Sequence, residues 1–111
     1  MDVDQGVRIV LVTASSQEEA LLIGRSVVQK NLAACVTVVP NVTSIFQWEG
    51  TVCEEREWLL VMKSHADVYD ALESEVKALH SYEVPEIIAL SVMTGLSEYL
   101  TWVKAMTHVP D

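Results

Sequence analysis

The chain has 111 residues, half of them hydrophobic, and its 16 acidic and 7 basic side chains give a formal net charge of −9. A chain of this length can bury a core without disulfides or a structural metal, and its apolar content excludes intrinsic disorder. The negative charge argues against nucleic-acid and anionic-membrane partners, because both attract mainly Lys and Arg. We therefore predict one domain over residues 1–111, with residues 1–6 as a flexible end.

The first residues of the chain do not resemble a signal peptide. Residues 1–6 are acidic and polar, whereas a signal peptide begins with basic and then apolar residues. The apolar runs elsewhere are much shorter than the about 20 residues needed to cross a bilayer. These observations predict a cytoplasmic protein that has no membrane partner.

A strand and a helix are predicted at the start of the chain. Apolar and β-branched residues over 7–13 are typical of a strand that is covered on both faces. Ser16 followed by Glu19 is a capping-box pattern, which predicts a helix that ends near Asn31. The expected buried stripe of this helix consists of Ala20, Ile23, Val27 and Val28.

A long β-hairpin follows. Strand-forming residues over 35–48 and 51–63 flank a turn at 49–50, and Pro40 predicts a bulge, bend or edge position in the first arm. An arm of about 13 residues spans roughly 43 Å, which exceeds the diameter of roughly 34 Å expected for a domain of this size. The hairpin should therefore overhang its own subunit, and a second chain would have to cover its apolar side chains.

The rest of the sequence predicts two helices and one strand. A helix over 65–80 ends before a proline, residues 86–93 form a nearly continuous apolar strand, and a helix capped by Thr94 or Ser97 follows. The last helix is expected to bury Tyr99, Trp102, Val103 and Met106. The order β-α-β-β-α-β with an extra C-terminal helix predicts an α+β fold of ferredoxin-like topology, with helices on one face of an antiparallel sheet.

The two cysteines are too far apart to form a common site. With a two-residue turn, Cys53 should face the neighbourhood of Phe46, and Cys35 should lie near Ser64 and His65. Cys35 and His65 could supply two ligands for copper or zinc. We favour the alternative that Cys35 is a small buried hydrophobe, as cysteines in strands usually are.

Polar side chains that could bind a ligand occur in two places. The loop after the second predicted helix contains His80, Tyr82 and Glu86, which could bind a cation or transfer protons, or could instead cap the helix and pack at an interface. Glu57 and Lys63 share one face of the second hairpin arm. They are either solvated charges, which the sequence slightly favours, or they line a polar cavity inside an oligomer.

An ordered set of segments resembles the CutA divalent-cation tolerance family. The segments are residues 30–36, Pro40, residues 43–50, Glu57, Lys63, and residues 80–86 and 99–102, and the match runs from about residue 7 to 106. The resemblance implies a ferredoxin-like subunit in a tight trimer whose hairpins pair between subunits, similar to trimeric PII signalling proteins. It also implies a cytoplasmic protein linked to tolerance of copper and other divalent cations.

The resemblance also implies a cleft between subunits. The corresponding positions are Phe46, Trp48, Glu57, Lys63, His80, Tyr82 and Glu86. Phe46 stands where tyrosine is usual in the family, and Ser81 stands where proline is usual. Copper-binding members have a cysteine at the end of the first strand and two adjacent histidines in the loop. Val12 and Leu79 occupy two of these positions, which leaves His80 as the candidate metal ligand.

These implications combine into one predicted function. We expect a non-enzymatic homotrimer that binds copper, another divalent cation or a small ligand in its intersubunit clefts, and that folds without the metal. The alternative is a PII-like sensor that binds a small metabolite and reports it to an unidentified protein partner. An enzyme that uses Tyr82, His80 and Glu86 as acid and base groups is the third possibility, and the absence of a nucleophile or phosphate-loop motif disfavours it.

Overall fold

Four strands and three helices follow one another in the predicted order. The computed structural model describes residues 4–109, so half of the predicted flexible end lies outside the described residues. The elements are β1 (Val7–Ala14), α1 (Gln17–Gln29), β2 (Cys35–Trp48), β3 (Thr51–His65), a 3₁₀ turn (Ala66–Val68), α2 (Tyr69–Leu79), β4 (Ile87–Ser91) and α3 (Ser97–Met106). The strands form one antiparallel sheet in the order β2-β3-β1-β4. The predicted α+β class is confirmed.

The core lies between one face of this sheet and the helices α1 and α2. Alternate residues of β1 and β3, such as Val10, Val12 and Leu60, are buried against Ile23 of α1 and Leu72 of α2. The residues between them point to the opposite face, which these two helices leave uncovered. A second, smaller core joins α3 to one end of the sheet.

Helix α1 begins as the sequence predicts and buries a slightly different stripe. The N–H of Glu19 donates to the Ser16 hydroxyl at 3.1 Å, which confirms the N-cap. Val28 is exposed and Gly24 is buried, so the prediction of a buried Val28 is wrong. A Cβ atom on Gly24 would lie 3.4 Å from the Val36 side chain, so the helix packs closely against β2 at the glycine.

The hairpin has the predicted turn and a shifted register near its base. Residues 49 and 50 have φ values of 49° and 80°, as a type I′ turn requires. Cys53 pairs with Phe46 as expected, and the register shifts between Val39 and Val42, which confirms the bulge at Pro40. Because the bulge adds one residue to β2, Cys35 pairs with Lys63 and not with Ser64.

The distal part of the hairpin projects from the rest of the chain. The longest dimension of the molecule is 44 Å, and the radius of gyration is 14.7 Å, against about 13 Å for a compact domain of 100 residues. Near the turn, Ile45, Trp48 and Val52 are each about two-thirds exposed. The predicted overhang of the hairpin is therefore confirmed for the single chain.

Helix α3 differs from its predicted form. Leu100 and Val103 are buried, whereas Tyr99, Trp102 and Met106 are exposed. The predicted stripe is confirmed for Val103 and wrong for its other three residues, because α3 has only a small contact surface, on Val7, Ala34 and Val92. The N-cap residue is Leu96, which makes no side-chain hydrogen bond, so the prediction of a Thr94 or Ser97 cap is also wrong.

His65 ends β3 and holds the described N-terminal residues. Its Nε2 lies 2.9 Å from the carbonyl oxygen of Gln5, and its Nδ1 accepts the N–H of Asp67 at 3.1 Å. The N–H of Ala66 donates to the carbonyl oxygen of Gly6 at 2.7 Å. Both ring nitrogens of His65 are thus occupied, and neither is free for a metal ion shared with Cys35.

No helix within residues 4–109 is long and apolar enough to cross a bilayer.

Candidate functional site

The loop after α2 brings several of the predicted site residues together. The His80 side chain is fully buried, its Nε2 lies 2.7 Å from the carbonyl oxygen of Thr13, and its Nδ1 accepts the N–H of Tyr82 at 3.1 Å. A carbonyl can only accept and an N–H can only donate, so the partners place the single ring proton on Nε2. His80 thus joins β1 to the loop, and a carboxylate oxygen of Glu19 lies 3.6 Å from its Nδ1.

Glu19 attaches the same loop to the start of α1. Its carboxylate accepts the N–H of Ser81 at 2.5 Å and the Ser81 hydroxyl at 3.1 Å. It also accepts the hydroxyl and the N–H of Ser15, at 3.0 and 3.3 Å. Burial alone would raise the pKa of Glu19, but these hydrogen bonds outweigh it and hold the pKa below its usual value. The sequence identified Glu19 only as a helix-capping residue.

Tyr82 and Glu57 form the centre of the candidate site. The phenol of Tyr82 donates to a carboxylate oxygen of Glu57 at 2.7 Å. Glu57 is only 6% exposed, so its interpretation as a solvated charge is wrong. Burial, the hydrogen bond to Glu57 and the charge of Glu57 all raise the pKa of Tyr82 well above its usual value. The phenol therefore remains a proton donor at neutral pH, and 37% of Tyr82 is open to solvent.

One face of the hairpin extends the site towards its tip. Directly paired residues lie on the same face of a hairpin, and the pairs Val42–Glu57 and Phe46–Cys53 therefore place Phe46 on the face of Glu57. Trp48, two residues beyond Phe46, shares this face and is 65% exposed. The face thus runs from a buried carboxylate to exposed aromatic rings.

Lys63 and Glu86 lie apart from this group within the single chain. Lys63 is six residues further along β3, where its ammonium donates to the Thr37 hydroxyl at 2.8 Å and to the carbonyl oxygen of Val61 at 3.3 Å. Glu86 is exposed immediately before β4. In the described part of the chain, neither residue forms an ion pair.

Residues 4–109 of a single chain do not bring metal ligands together into a group. Within the described residues, no three His, Cys, Asp or Glu side chains are placed to hold a metal ion together. Val12 is a fully buried core residue and Leu79 packs against the same core, so these two positions are structural. A metal ion could bind His80 only if one of its two hydrogen bonds broke. The metal-ligand role of His80 stays a prediction.

Solved structures of known proteins share this fold. A structure of CutA1 from Oryza sativa superposes with a TM-score of 0.91 and 40% sequence identity, covering 93% of this chain and 94% of that chain. A structure of the divalent cation tolerance protein from Thermus thermophilus gives a TM-score of 0.90 and 44% identity, covering 92% of this chain and 99% of that chain.

Sequence comparisons agree with these structural matches. The family model described as CutA1 divalent ion tolerance protein matches residues 8–106. The divalent-cation tolerance protein CutA of Thermus thermophilus is 46% identical over 99 residues, which cover 89% of this chain and 96% of the relative. Protein CutA of Homo sapiens is 42% identical over 87% of this chain, which spans about half, 54%, of the human relative. The chain therefore belongs to the CutA1 divalent ion tolerance protein family.

Proposed function

We propose that this chain is a divalent-cation tolerance protein that acts without catalysing a reaction, as a homotrimer that binds copper, another divalent cation or a small ligand between its subunits. One observation carries the proposal. Glu57 is buried with Tyr82 as its hydrogen-bond donor, and no Lys or Arg in the described residues forms an ion pair with it. A buried carboxylate without a counter-ion is unfavourable by several kcal/mol. A bound cation or a cationic group of a second copy would remove this cost.

The free edges of the sheet support assembly from identical copies. β2 and β4 are the two edge strands, and each leaves a row of backbone N–H and C=O groups unpaired in the single chain. Pairing of the β2 edge of one copy with the β4 edge of the next is a head-to-tail contact, which produces a closed ring when the rotation closes. The same pairing would cover apolar side chains near the hairpin turn. The strand order, with α1 and α2 on one face, supports a ferredoxin-like subunit.

The charge of the chain supports a cationic ligand. The net charge of −9 would triple in a trimer, and a field of this sign attracts cations and repels phosphates. We therefore propose that neither nucleic acid nor a membrane is a partner. We propose that the cations are cargo of the assembled protein and that folding requires no metal, because the core of the single chain is packed from apolar side chains.

We also propose a cytoplasmic location. Relatives have other locations: a protein from Arabidopsis thaliana is named chloroplastic, and a solved protein from Archaeoglobus fulgidus is described as periplasmic. Fractionation of the native host, with antibody detection of this chain, tests the proposal. Recovery of the protein from a membrane or periplasmic fraction would contradict it.

A second candidate function is a PII-like sensor, and the exposed hairpin tip favours it. Trp48 and Ile45 are large apolar side chains without a covering partner in the single chain. In a sensor these side chains would contact a protein partner when a small metabolite is bound or released. Specific capture of one partner that is lost with Trp48→Ala and reversed by a small anion would favour the sensor over a cation-binding role.

Two measurements on the purified chain test the leading proposal. Analytical ultracentrifugation should give about three times the chain mass of 12.3 kDa, and a monomer would contradict the assembly. Calorimetric titration with Cu(II) and Zn(II) should show binding that Glu57→Gln weakens at least tenfold. Glu75→Gln is the matched control, because Glu75 is a carboxylate already paired with Lys30 at 2.9 Å. Absence of binding tighter than millimolar, or equal effects of both substitutions, would refute the cation site.

A further inference from the structure

We infer that His80, Glu19 and Ser81 are positioning residues that hold the Tyr82 phenol on Glu57, and that His80 does not coordinate the bound cation. This inference rests on the proposed function for the existence of a cation. It assigns a different role to each part of the loop: Tyr82 and Glu57 face the ligand, whereas the other three residues fix where Tyr82 lies. The hydrogen bonds that hold Tyr82 are present in the apo chain and can be tested without any ligand.

Both nitrogens of the His80 ring already have hydrogen-bond partners inside the protein. Coordination needs an in-plane lone pair on an unprotonated nitrogen, and the lone pair of Nδ1 already accepts the N–H of Tyr82. Nε2 carries the proton that it donates to the Thr13 carbonyl. The imidazole also packs against the Tyr82 ring, with centroids 4.8 Å apart and the ring planes tilted by 46°. His80 therefore holds both the backbone and the ring of Tyr82.

Ser81 provides a second attachment that a proline could not make. Its N–H and its hydroxyl both donate to Glu19, across 62 positions of sequence. Proline, which the family resemblance leads one to expect at this position, has no N–H and no hydroxyl. Glu19 is in the first turn of α1, where the helix dipole favours a carboxylate. In this chain the loop is thus attached to β1 through His80 and to α1 through Ser81, immediately before Tyr82.

His65 offers a matched control for His80. Its Nδ1 accepts the N–H of the residue two positions later, and its Nε2 faces a backbone carbonyl, as in His80. Its side chain is also buried, with 7% of its surface exposed. His65 holds Gln5 and Asp67 and makes no contact with Tyr82. Substitution of His65 should therefore affect folding in a similar way and leave the position of Tyr82 unchanged.

Two substitutions of His80 separate its two hydrogen bonds. The amide oxygen of an asparagine can occupy the place of Nδ1, so His80→Asn retains an acceptor for Tyr82 and loses the bond to Thr13. The longer glutamine reaches the place of Nε2, so His80→Gln retains the donor to Thr13 and loses the acceptor for Tyr82. Loss of one neutral hydrogen bond changes the free energy by about 0.5–1.5 kcal/mol, which corresponds to a two- to tenfold change in an equilibrium constant.

The first experiment measures hydrogen exchange of the Tyr82 amide by NMR in the apo protein. We expect protection in the wild type, His80→Asn and His65→Gln, and a two- to tenfold loss of protection in His80→Gln. Equal protection in His80→Gln and the wild type would overturn the positioning role. This result does not depend on a ligand, so it remains decisive even where the proposed cation binding fails. Urea unfolding of each variant establishes that it is folded.

The second experiment measures Cu(II) and Zn(II) affinity of the same variants by calorimetry. A positioning role predicts affinity within about threefold of wild type for His80→Asn and His65→Gln, and a two- to tenfold loss for His80→Gln. Equal, near-complete loss of binding in both His80 variants would show that the imidazole is a ligand, because carboxamides bind copper and zinc poorly. That outcome would overturn the inference and leave the proposed function intact.

The third experiment replaces Ser81. The backbone of His80, with φ −79° and ψ 141°, is compatible with a following proline, so Ser81→Pro is expected to fold. Ser81→Ala keeps the N–H bond to Glu19, and Ser81→Pro loses both bonds. We expect protection of the Tyr82 amide to decrease in the order wild type, Ser81→Ala, Ser81→Pro. Unchanged protection in Ser81→Pro would show that Glu19 and Ser81 do not position Tyr82.

Discussion

The hydrogen bond between Tyr82 and Glu57 should be one of the stronger side-chain contacts in the molecule. Its length is 2.7 Å, and its acceptor is a carboxylate that is 6% exposed. Hydrogen bonds to charged groups contribute about 1.5–3 kcal/mol, and the partial exposure of Tyr82 places this one at the lower end. Tyr82→Phe should therefore lower the free energy of unfolding by about 1.5 kcal/mol, because the buried carboxylate loses its donor.

A double-mutant cycle isolates this contact. In a Glu57→Gln background the acceptor is a neutral amide, and Tyr82→Phe should cost only about 0.5–1 kcal/mol. The predicted coupling free energy is therefore about 0.5–1 kcal/mol. Urea unfolding at neutral pH gives the four values, and protein concentration is held fixed because the stability of an oligomer depends on it.

Tyr69 is the matched control for this cycle. Its phenol donates at 2.8 Å to Glu73, which is an exposed carboxylate one turn away on α2. Side-chain pairs at this spacing contribute about 0.2–0.5 kcal/mol, so Tyr69→Phe should have a much smaller effect than Tyr82→Phe. Equal losses for the two tyrosines, or a coupling free energy indistinguishable from zero, would refute the view that the buried carboxylate depends on Tyr82.

Two further predictions concern the N-terminal segment and the contact between the helices. Gly6 has φ +88°, and a Cβ atom there would meet the His65 ring, so Gly6→Ala should reduce the free energy of urea unfolding by about 1–3 kcal/mol. Hydrogen bonds from Ser26 and Lys30 lower the pKa of Glu75 below its usual 4.5. This stabilisation is present above pH 4.5 and is lost as the pH falls through the lower folded value, so Glu75→Gln should flatten the acid loss of stability measured by unfolding at a series of pH values. An unchanged slope in Glu75→Gln, or wild-type stability in Gly6→Ala, would contradict the respective prediction.

The elements that could be predicted from sequence are those specified by local chemistry. β2 begins and ends at the predicted residues, because strand-forming side chains continue up to a turn whose Gly50 accepts a positive φ. The bulge at Pro40 follows from the missing N–H of proline. The cap at Ser16 follows from its spacing to Glu19. In each case the cause lies within a few residues of the effect.

The features that could not be predicted depend on neighbours distant in sequence. The stripe buried by α3 is determined by the small surface that Val7 and Ala34 offer to it. To predict the strand partner of Cys35, one must know how many residues the bulge adds, and the presence of Pro40 alone does not specify this number. The bonds from Ser81 to Glu19 join segments that share no periodic pattern. Only the departure at Ser81 from the family's usual proline could have indicated that this loop is held differently.

The buried carboxylate of Glu57 is expected to lower the stability of the apo chain and to favour cation binding. A buried carboxylate with one strong donor and no counter-ion destabilises the apo chain, whereas a glutamine of similar shape removes the charge and can still accept from Tyr82. Glu57→Gln should therefore leave the apo protein as stable as the wild type or make it more stable, while its cation binding weakens at least tenfold. A residue retained only for folding would show the opposite result, with lower stability and unchanged binding. Measurement of urea unfolding and Cu(II) titration on the same Glu57→Gln sample distinguishes these two roles directly.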